Sequence, residues 1–200
     1  YTLTGPGIGA SDISANGILM QGRENIEISN GTIEQFKVAG IHATYIASDK
    51  GHRVINIRSR NNGVGIQLYG EDHFVKDCTV SNNLSYGIYN FTKGNIINCV
   101  ANNNGDAGIV SSSRTTIKDC TSTYNSGIGI SSSMSNITSC IVSNNLTHGI
   151  YSSGSNISGC LISENANYGI YSYSDSNIFN NTVGSNGWTG IYCTYSCRIN

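Results

Sequence analysis

The stretch Thr147-His148-Gly149-Ile150-Tyr151-Ser152-Ser153-Gly154-Ser155-Asn156-Ile157-Ser158-Gly159-Cys160-Leu161-Ile162-Ser163-Glu164-Asn165 holds one complete unit of a repeat that fills the chain. Its Gly-Ile step recurs at Gly17, Gly40, Gly65, Gly87, Gly108, Gly129, Gly149, Gly169 and Gly190, at intervals of 23, 25, 22, 21, 21, 20, 20 and 21 residues. A near-constant period of this length marks a solenoid, in which each unit buries its apolar side chains only against the units before and after it.

Each unit contains three short apolar segments. The first follows the glycine, as in Gly108-Ile109-Val110 and Gly169-Ile170-Tyr171; the second is an Asn-Ile step, as at Asn136-Ile137, Asn156-Ile157 and Asn177-Ile178; the third is Thr79-Val80, Ile141-Val142, Leu161-Ile162 or Thr182-Val183. Segments this short, rich in β-branched residues and bounded by Ser, Asn and Gly, read as strands. Three per turn predict an all-β prism with three parallel sheets and about nine rungs of 20–25 residues, a single domain over residues 1–200. Cys197-Arg198-Ile199-Asn200 aligns with Ser176-Asn177-Ile178-Phe179, so the array is expected to be a piece of a longer chain, cut within the repeat at both ends.

Composition agrees. Charged residues make up 12% of the 200, there is one Pro, and Gly numbers 24, which suits strands joined by tight turns and leaves no window with helical spacing. A net charge of −1 with no block of like charge gives no electrostatic footprint for nucleic acid or an anionic membrane. No run of about 18 apolar residues predicts a membrane span.

Two columns mark the stacking. Cys78, Cys99, Cys120, Cys140 and Cys160 share one phase, with Ile57 before them and Asn181 after. Asn61, Asn82, Asn103, Asn125, Asn144, Asn165 and Asn186 form a second column ahead of the glycine. Stacked at the strand spacing of about 4.8 Å, amides in such a column can hydrogen-bond from rung to rung. The cysteines read as reduced, inward thiols acting as small apolar fillers, because a line of sulfurs does not make the tetrahedral cluster zinc requires. Cys193 and Cys197 stand apart, spaced to bond each other or to remain free.

The repeat Gly-Ile-Tyr-Ser-Ser-Gly-Ser-Asn-Ile-Ser-Gly-Cys-Leu-Ile-Ser-Glu-Asn resembles the right-handed parallel β-helix repeat of the pectate-lyase-like superfamily. The opening Tyr1-Thr2-Leu3-Thr4-Gly5-Pro6-Gly7, followed by Asn25-Ile26-Glu27-Ile28-Ser29-Asn30-Gly31-Thr32-Ile33, is similar to bacterial members of that group whose function is mostly unassigned. The resemblance implies a right-handed, single-stranded β-helix. It also implies a polysaccharide groove along the first sheet and an extracellular or cell-surface setting. It says little about activity, since the repeating residues build the scaffold.

On the first strand the Ile points inward, so the residue after it points out. That outward column reads Leu19, His42, Gln67, Tyr89, Val110, Ser131, Tyr151, Tyr171 and Tyr192, and Tyr86, His148 and Tyr168 precede their glycines. An aromatic stripe along one face suits the apolar faces of successive sugars, with phenol hydroxyls available for hydrogen bonds. Tyrosine also has high strand propensity, so a stripe that simply covers the sheet is the competing reading. The candidate substrate-binding residues are therefore Tyr86, Tyr89, His148, Tyr151, Tyr168, Tyr171 and Tyr192.

Chemistry, if present, is expected nearer the N-terminus. The longest interval, Gly40 to Gly65, contains Tyr45-Ile46-Ala47-Ser48-Asp49-Lys50-Gly51-His52-Arg53, read as a bulging loop. His42, Asp49, Lys50, His52, Arg53 and His73 are the candidate catalytic residues, since abstracting the proton beside a sugar carboxylate needs a base and cations that stabilise the enolate-like intermediate. That chemistry would make the chain a lyase or epimerase of acidic glycans. Adjacent Glu71 and Asp72 are a poor pair of hydrolytic carboxylates, which stand about 5–9.5 Å apart in glycosidases. Several elements familiar from the superfamily are missing: the Asp-Pro-His of mannuronan epimerases, the paired Asp of polygalacturonases and the acidic calcium triad of pectate lyases.

Asn-x-Ser/Thr sequons at Asn30, Asn83, Asn90, Asn136, Asn145, Asn156 and Asn180 follow from the composition and read as scaffold. No cofactor or metal is expected, and copper handling is poorly served by two methionines, Met20 and Met134. Two functions stay open: a polysaccharide-binding domain with or without lyase or epimerase chemistry, and a non-catalytic structural or adhesive surface solenoid. The open sheet ends allow self-association.

Overall fold

The computed structural model describes residues 1–9, 15–45 and 49–200, and every regular element in it is a strand. Each full rung carries three, as in Ile150–Ser153, Asn156–Ser158 and Leu161–Ser163. All pairings are parallel, and each strand pairs with its counterparts one rung away.

The corners between strands explain why the rung is so short. A residue in the left-handed region turns the chain at each one, with Gly22 and Gly70 adding a second in two of the early rungs. After the first strand these are Asn25, Gly51, Asp72, Lys93, Arg114, Met134, Gly154 and Asp175; after the second, Asn30, Asn56, Asp77, Asn98, Asp119, Ser139, Gly159 and Asn180; after the third, Gln35, Asn61, Asn82, Asn103, Tyr124, Asn144, Glu164 and Ser185. Asn, Asp and Gly dominate the second set because they adopt positive φ at least cost.

The first strands form a nine-stranded sheet from Asn16–Met20 to Ile191–Cys193, one strand per rung. The three faces of the expected prism are nevertheless joined into two hydrogen-bonded sheets. Strand Arg53–Arg60 pairs through Arg53, Val54 and Ile55 with Phe74–Lys76, and through Arg58, Ser59 and Arg60 with Thr79–Ser81. Its corner is one residue, Asn56, so the ladder continues on both sides and unites the second and third faces in a 16-stranded sheet.

Inside, Ile41, Ile66, Ile88, Ile109, Ile130, Ile150 and Ile170 stack in register behind the first face, and Val54, Val75, Ile96, Ile117, Ile137, Ile157 and Ile178 behind the second. All are at most 1% exposed, and full burial of such a side chain contributes about 1.5–3 kcal/mol. Cys78, Cys99, Cys120, Cys140 and Cys160 fill the corner between these and the third face as buried free thiols. Hydrogen bonds to the thiols above and below, reinforced by burial, raise the pKa of Cys99 and Cys140 and hold them in the protonated form.

The asparagine ladder is present, but one residue out of the expected phase in four rungs. The amides of the ladder are the buried Asn62, Asn83, Asn104, Asn125, Asn145 and Asn165 and the half-buried Asn186; from Asn83 to Asn165 each Nδ2 hydrogen-bonds the next Oδ1 at 2.9–3.0 Å. Asn61, Asn82, Asn103 and Asn144 are instead the left-handed corner residues immediately before. In each Asn-Asn pair the first residue turns the chain and the second enters the interior. No helix among the described residues is long and apolar enough to cross a membrane.

Candidate functional site

The first face carries the outward column in the expected register: Leu19, His42, Gln67, Tyr89, Val110, Ser131, Tyr151, Tyr171 and Tyr192 lie side by side across successive strands. Parallel pairing puts each ring beside its counterpart one rung on, so neighbouring tyrosines must stack or tilt. Tyr151 and Tyr171 stack with centroids 5.2 Å apart and planes 10° from parallel. His148 stacks on Tyr168 at 5.3 Å, and Tyr168 on Tyr192 at 5.0 Å.

The stripe is interrupted. Val110 and Ser131 separate a cluster around Tyr69, Tyr86, Tyr89 and Phe91 from one around His148, Tyr151, Tyr168, Tyr171 and Tyr192. Each cluster has one strongly exposed ring set perpendicular to its neighbour. Tyr45, 74% exposed, stands at 90° to Tyr69 and 87° to Phe91; Trp188, 67% exposed, stands at 87° to Tyr168. Stacked rings turn their faces to one another and present edges and hydroxyls, whereas these two leave flat apolar surface open. The outward column alone does not reveal Tyr45, Tyr69, Phe91 and Trp188. Phe91 lies two residues beyond it on the same strand and Tyr69 two residues beyond it just past the strand's end, a spacing that period-two alternation puts on the same face.

The six candidate catalytic residues do not form one group. His42 lies half-buried on the first face, with Nδ1 3.2 Å from Asn16 Oδ1 and its ring 6.2 Å from that of Tyr69. If Nδ1 donates to the amide oxygen, the Nε2 lone pair is left as a base; burial holds the imidazole below its ordinary pKa, partly offset by the Asp49 charge. Asp49, His52 and His73 are fully buried. Asp49 accepts the Arg23 backbone N–H at 3.0 Å and the Thr44 hydroxyl at 2.8 Å.

His52 and His73 stack at 5.1 Å, 8° from parallel, and belong to an interior ladder. His52 Nδ1 accepts the Ile26 N–H and His73 Nδ1 the His52 N–H, each at 3.2 Å. In later rungs Ser135, Ser155 and Ser176 accept the preceding backbone N–H in the same way. With Nδ1 accepting, Nε2 carries the proton; in His73 it donates to the Tyr69 carbonyl at 2.7 Å, and in His52 it has no partner. Burial lowers the pKa of both.

Lys50 and Arg53 lie on the other side of the corner, paired with Glu24 at 3.4 Å and Glu27 at 3.1 Å, and the Arg53 guanidinium also covers the Phe74 ring. Of the expected loop, Ile46, Ala47 and Ser48 lie outside the described residues. Among the others, Tyr86 has its pKa raised, first by burial and then by nearby Asp106, and His148 has its own lowered by burial. The described residues contain no cluster of three or more His, Cys, Asp or Glu arranged to hold a metal. Cys193 and Cys197 are free thiols, and burial with the neighbouring sulfur pushes Cys193 up to about 12.

With rung, corner and ladder in place, the class is defined: residues 9–111 and 64–200 match the right-handed β-helix region, and the chain belongs to that family. The fold is shared with a mutant of the periplasmic alginate epimerase AlgG, at TM-score 0.77 and 18% identity over 88% of this chain and 49% of that one. It is also shared with the A-module of the mannuronan C-5 epimerase AlgE4 of Azotobacter vinelandii, at 0.68 and 16% over 100% and 65%. Pectate lyase Pel9A matches at 0.67 and 13% over 100% and 68%. The chain thus spans about half the length of the first of these. Comparison with curated protein sequences gives no match.

Proposed function

We propose that the chain is a polysaccharide-binding β-helix of an exported or surface-associated protein, with the first face as its contact surface. The observation that carries this reading is the pair of aromatic clusters on that face, each ending in an exposed ring, Tyr45 and Trp188, against which a sugar can stack. The fold relatives lend support, since their names include epimerases of alginate and mannuronan and a lyase of pectate.

Lyase or epimerase chemistry would centre on His42 beside Tyr69, a base and a phenol on the contact face. Binding without turnover fits better, because Lys50 and Arg53, the cations such chemistry would use, are engaged elsewhere. The structural or adhesive solenoid is the second reading, favoured by the use of Asp49, His52 and His73 as interior scaffold.

A glycan array probed with the intact chain and with the Tyr151→Ala/Tyr171→Ala and Trp188→Ala variants tests the proposal. The expected result is a bound glycan whose affinity falls by about tenfold or more in the variants, as loss of a stacking aromatic implies. An array with no bound glycan, or variants that bind unchanged, refutes it. Ultraviolet detection of unsaturated products from bound glycans separates lyase action from binding.

A further inference from the structure

We infer that the ligand of the first face is an uncharged polysaccharide rather than a polyuronate. The inference rests on the glycan-binding reading and narrows its substrate class.

Three positions of each first-strand segment make up the first face, with Ala39 and Ala107 covered by their neighbours: the residue ahead of the glycine, the outward residue after the isoleucine, and the residue two further on. Through all nine rungs, from Asn16, Leu19 and Gln21 to Thr189, Tyr192 and Thr194, none of them is Lys, Arg, Asp or Glu. What these positions offer instead is rings, hydroxyls, amides and aliphatic side chains, with burial lowering the pKa of His42 and His148 and so favouring their neutral form. Such groups match sugar hydroxyls, which both donate and accept.

A polyuronate carries a carboxylate on every residue. Laid on this face, the carboxylates turned toward it would give up water without gaining a cation, which disfavours that pose relative to a neutral sugar. Four of the chain's cations are engaged already: Lys50, Arg53, Arg60 and Lys93 pair across rungs with Glu24, Glu27, Glu34 and Glu71. The turns bordering the face carry both signs and so add no positive field: Arg23, Lys37, Lys50, Lys93 and Arg114 are matched there by Glu24, Glu71, Asp72, Asp106, Glu164 and Asp175. Asp106 lies close enough to Tyr86 to raise its pKa, so a negative charge borders the N-terminal aromatic cluster. The fold relatives named for alginate and pectate therefore share the scaffold without predicting the ligand.

The test is retention of the full chain on immobilised neutral polysaccharides (unsubstituted β-glucan, mannan and galactan) and on alginate and polygalacturonate, at low salt and at roughly 1 M NaCl, where charge interactions are screened within a few ångströms. The expected outcome is retention on a neutral polymer, changed by less than about twofold by salt, and none on the polyuronates. Retention on alginate or polygalacturonate as strong as on any neutral polymer overturns the inference and leaves glycan binding intact. Retention on no polymer of either class overturns both.

Discussion

The side-chain amide of Asn104 donates to Oδ1 of Asn125 across 3.0 Å, and the same oxygen accepts the backbone N–H of Asn104, also at 3.0 Å. One acceptor thus satisfies two donors of the rung before it. Asn125 in turn donates to the Ala101 carbonyl at 3.2 Å.

Replacing Asn125 with Ala orphans several buried groups at once, and each unsatisfied group costs about 1–3 kcal/mol. Urea denaturation of Asn125→Ala should show a loss on the order of 3 kcal/mol. Asn103→Ala, at the neighbouring exposed corner, should lose only about 1–2 kcal/mol for the left-handed backbone it must keep. Equal losses would mean that the amide column does not brace the interior.

The glycine of the Gly-Ile step is required by crowding rather than by its torsion. A Cβ at Gly149 would lie 2.6 Å from the Gly169 carbonyl oxygen and 2.7 Å from both Asn165 Nδ2 and Ile162 Cγ2; at Gly190 its nearest neighbour would be Val183 Cγ1 at 3.6 Å. Gly149→Ala should therefore destabilise by at least about 1–3 kcal/mol, and Gly190→Ala by much less. Thermal melts of the two variants decide it.

Seven thiols should divide by burial. In the native protein Cys197 should react first with a thiol reagent at pH 8, and Cys193, pushed up to about 12, much more slowly. Cys78, Cys99, Cys120, Cys140 and Cys160 should react only after denaturant is added, as counted by mass spectrometry. Rapid native labelling of Cys120 would place that column at the surface.

The interior histidines should make the N-terminal rungs acid-labile. Their folded pKa lies below the unfolded value of about 6.5, so the unfolded chain binds protons first as pH falls. Stability is full above that unfolded value and declines as pH drops from it toward the lowered folded pKa. A melting temperature measured from pH 7.5 to 5 should fall over that window. His52→Ser/His73→Ser, which supplies the residue used by Ser135 and Ser155 at this corner, should flatten much of the decline, the remainder coming from His42 and His148. An unchanged slope would remove the two imidazoles as its source.

The fold was legible because a repeat states the same physical demand many times: Ile150 and its counterparts, the cysteine file and the outward tyrosines all occupy the phases their spacing implies. The phase of the asparagine ladder was less so, because Asn61-Asn62, Asn82-Asn83, Asn103-Asn104 and Asn144-Asn145 each offer two amides, and only the backbone shows which one turns inward. The single-residue corner at Asn56, which joins two faces, has no signature beyond an asparagine. His52 and His73 looked like loop chemistry because polar residues rarely fill an interior; the ladder that receives them is visible only when Ser135, Ser155 and Ser176 are seen at the same corner. Trp188 and Tyr45 sit in turns, where the strand period gives no guidance.

Because successive rungs from Cys120 to Cys160 present their neighbours with the same stacked isoleucines, thiols and asparagine amides, the architecture is extensible. Copying a full turn such as residues 144–163 in tandem would leave each seam chemically identical to those already present. The molecule could thus lengthen or shorten by increments of one strand width, turning reach along a polymer into a quantity set by the number of gene-encoded turns.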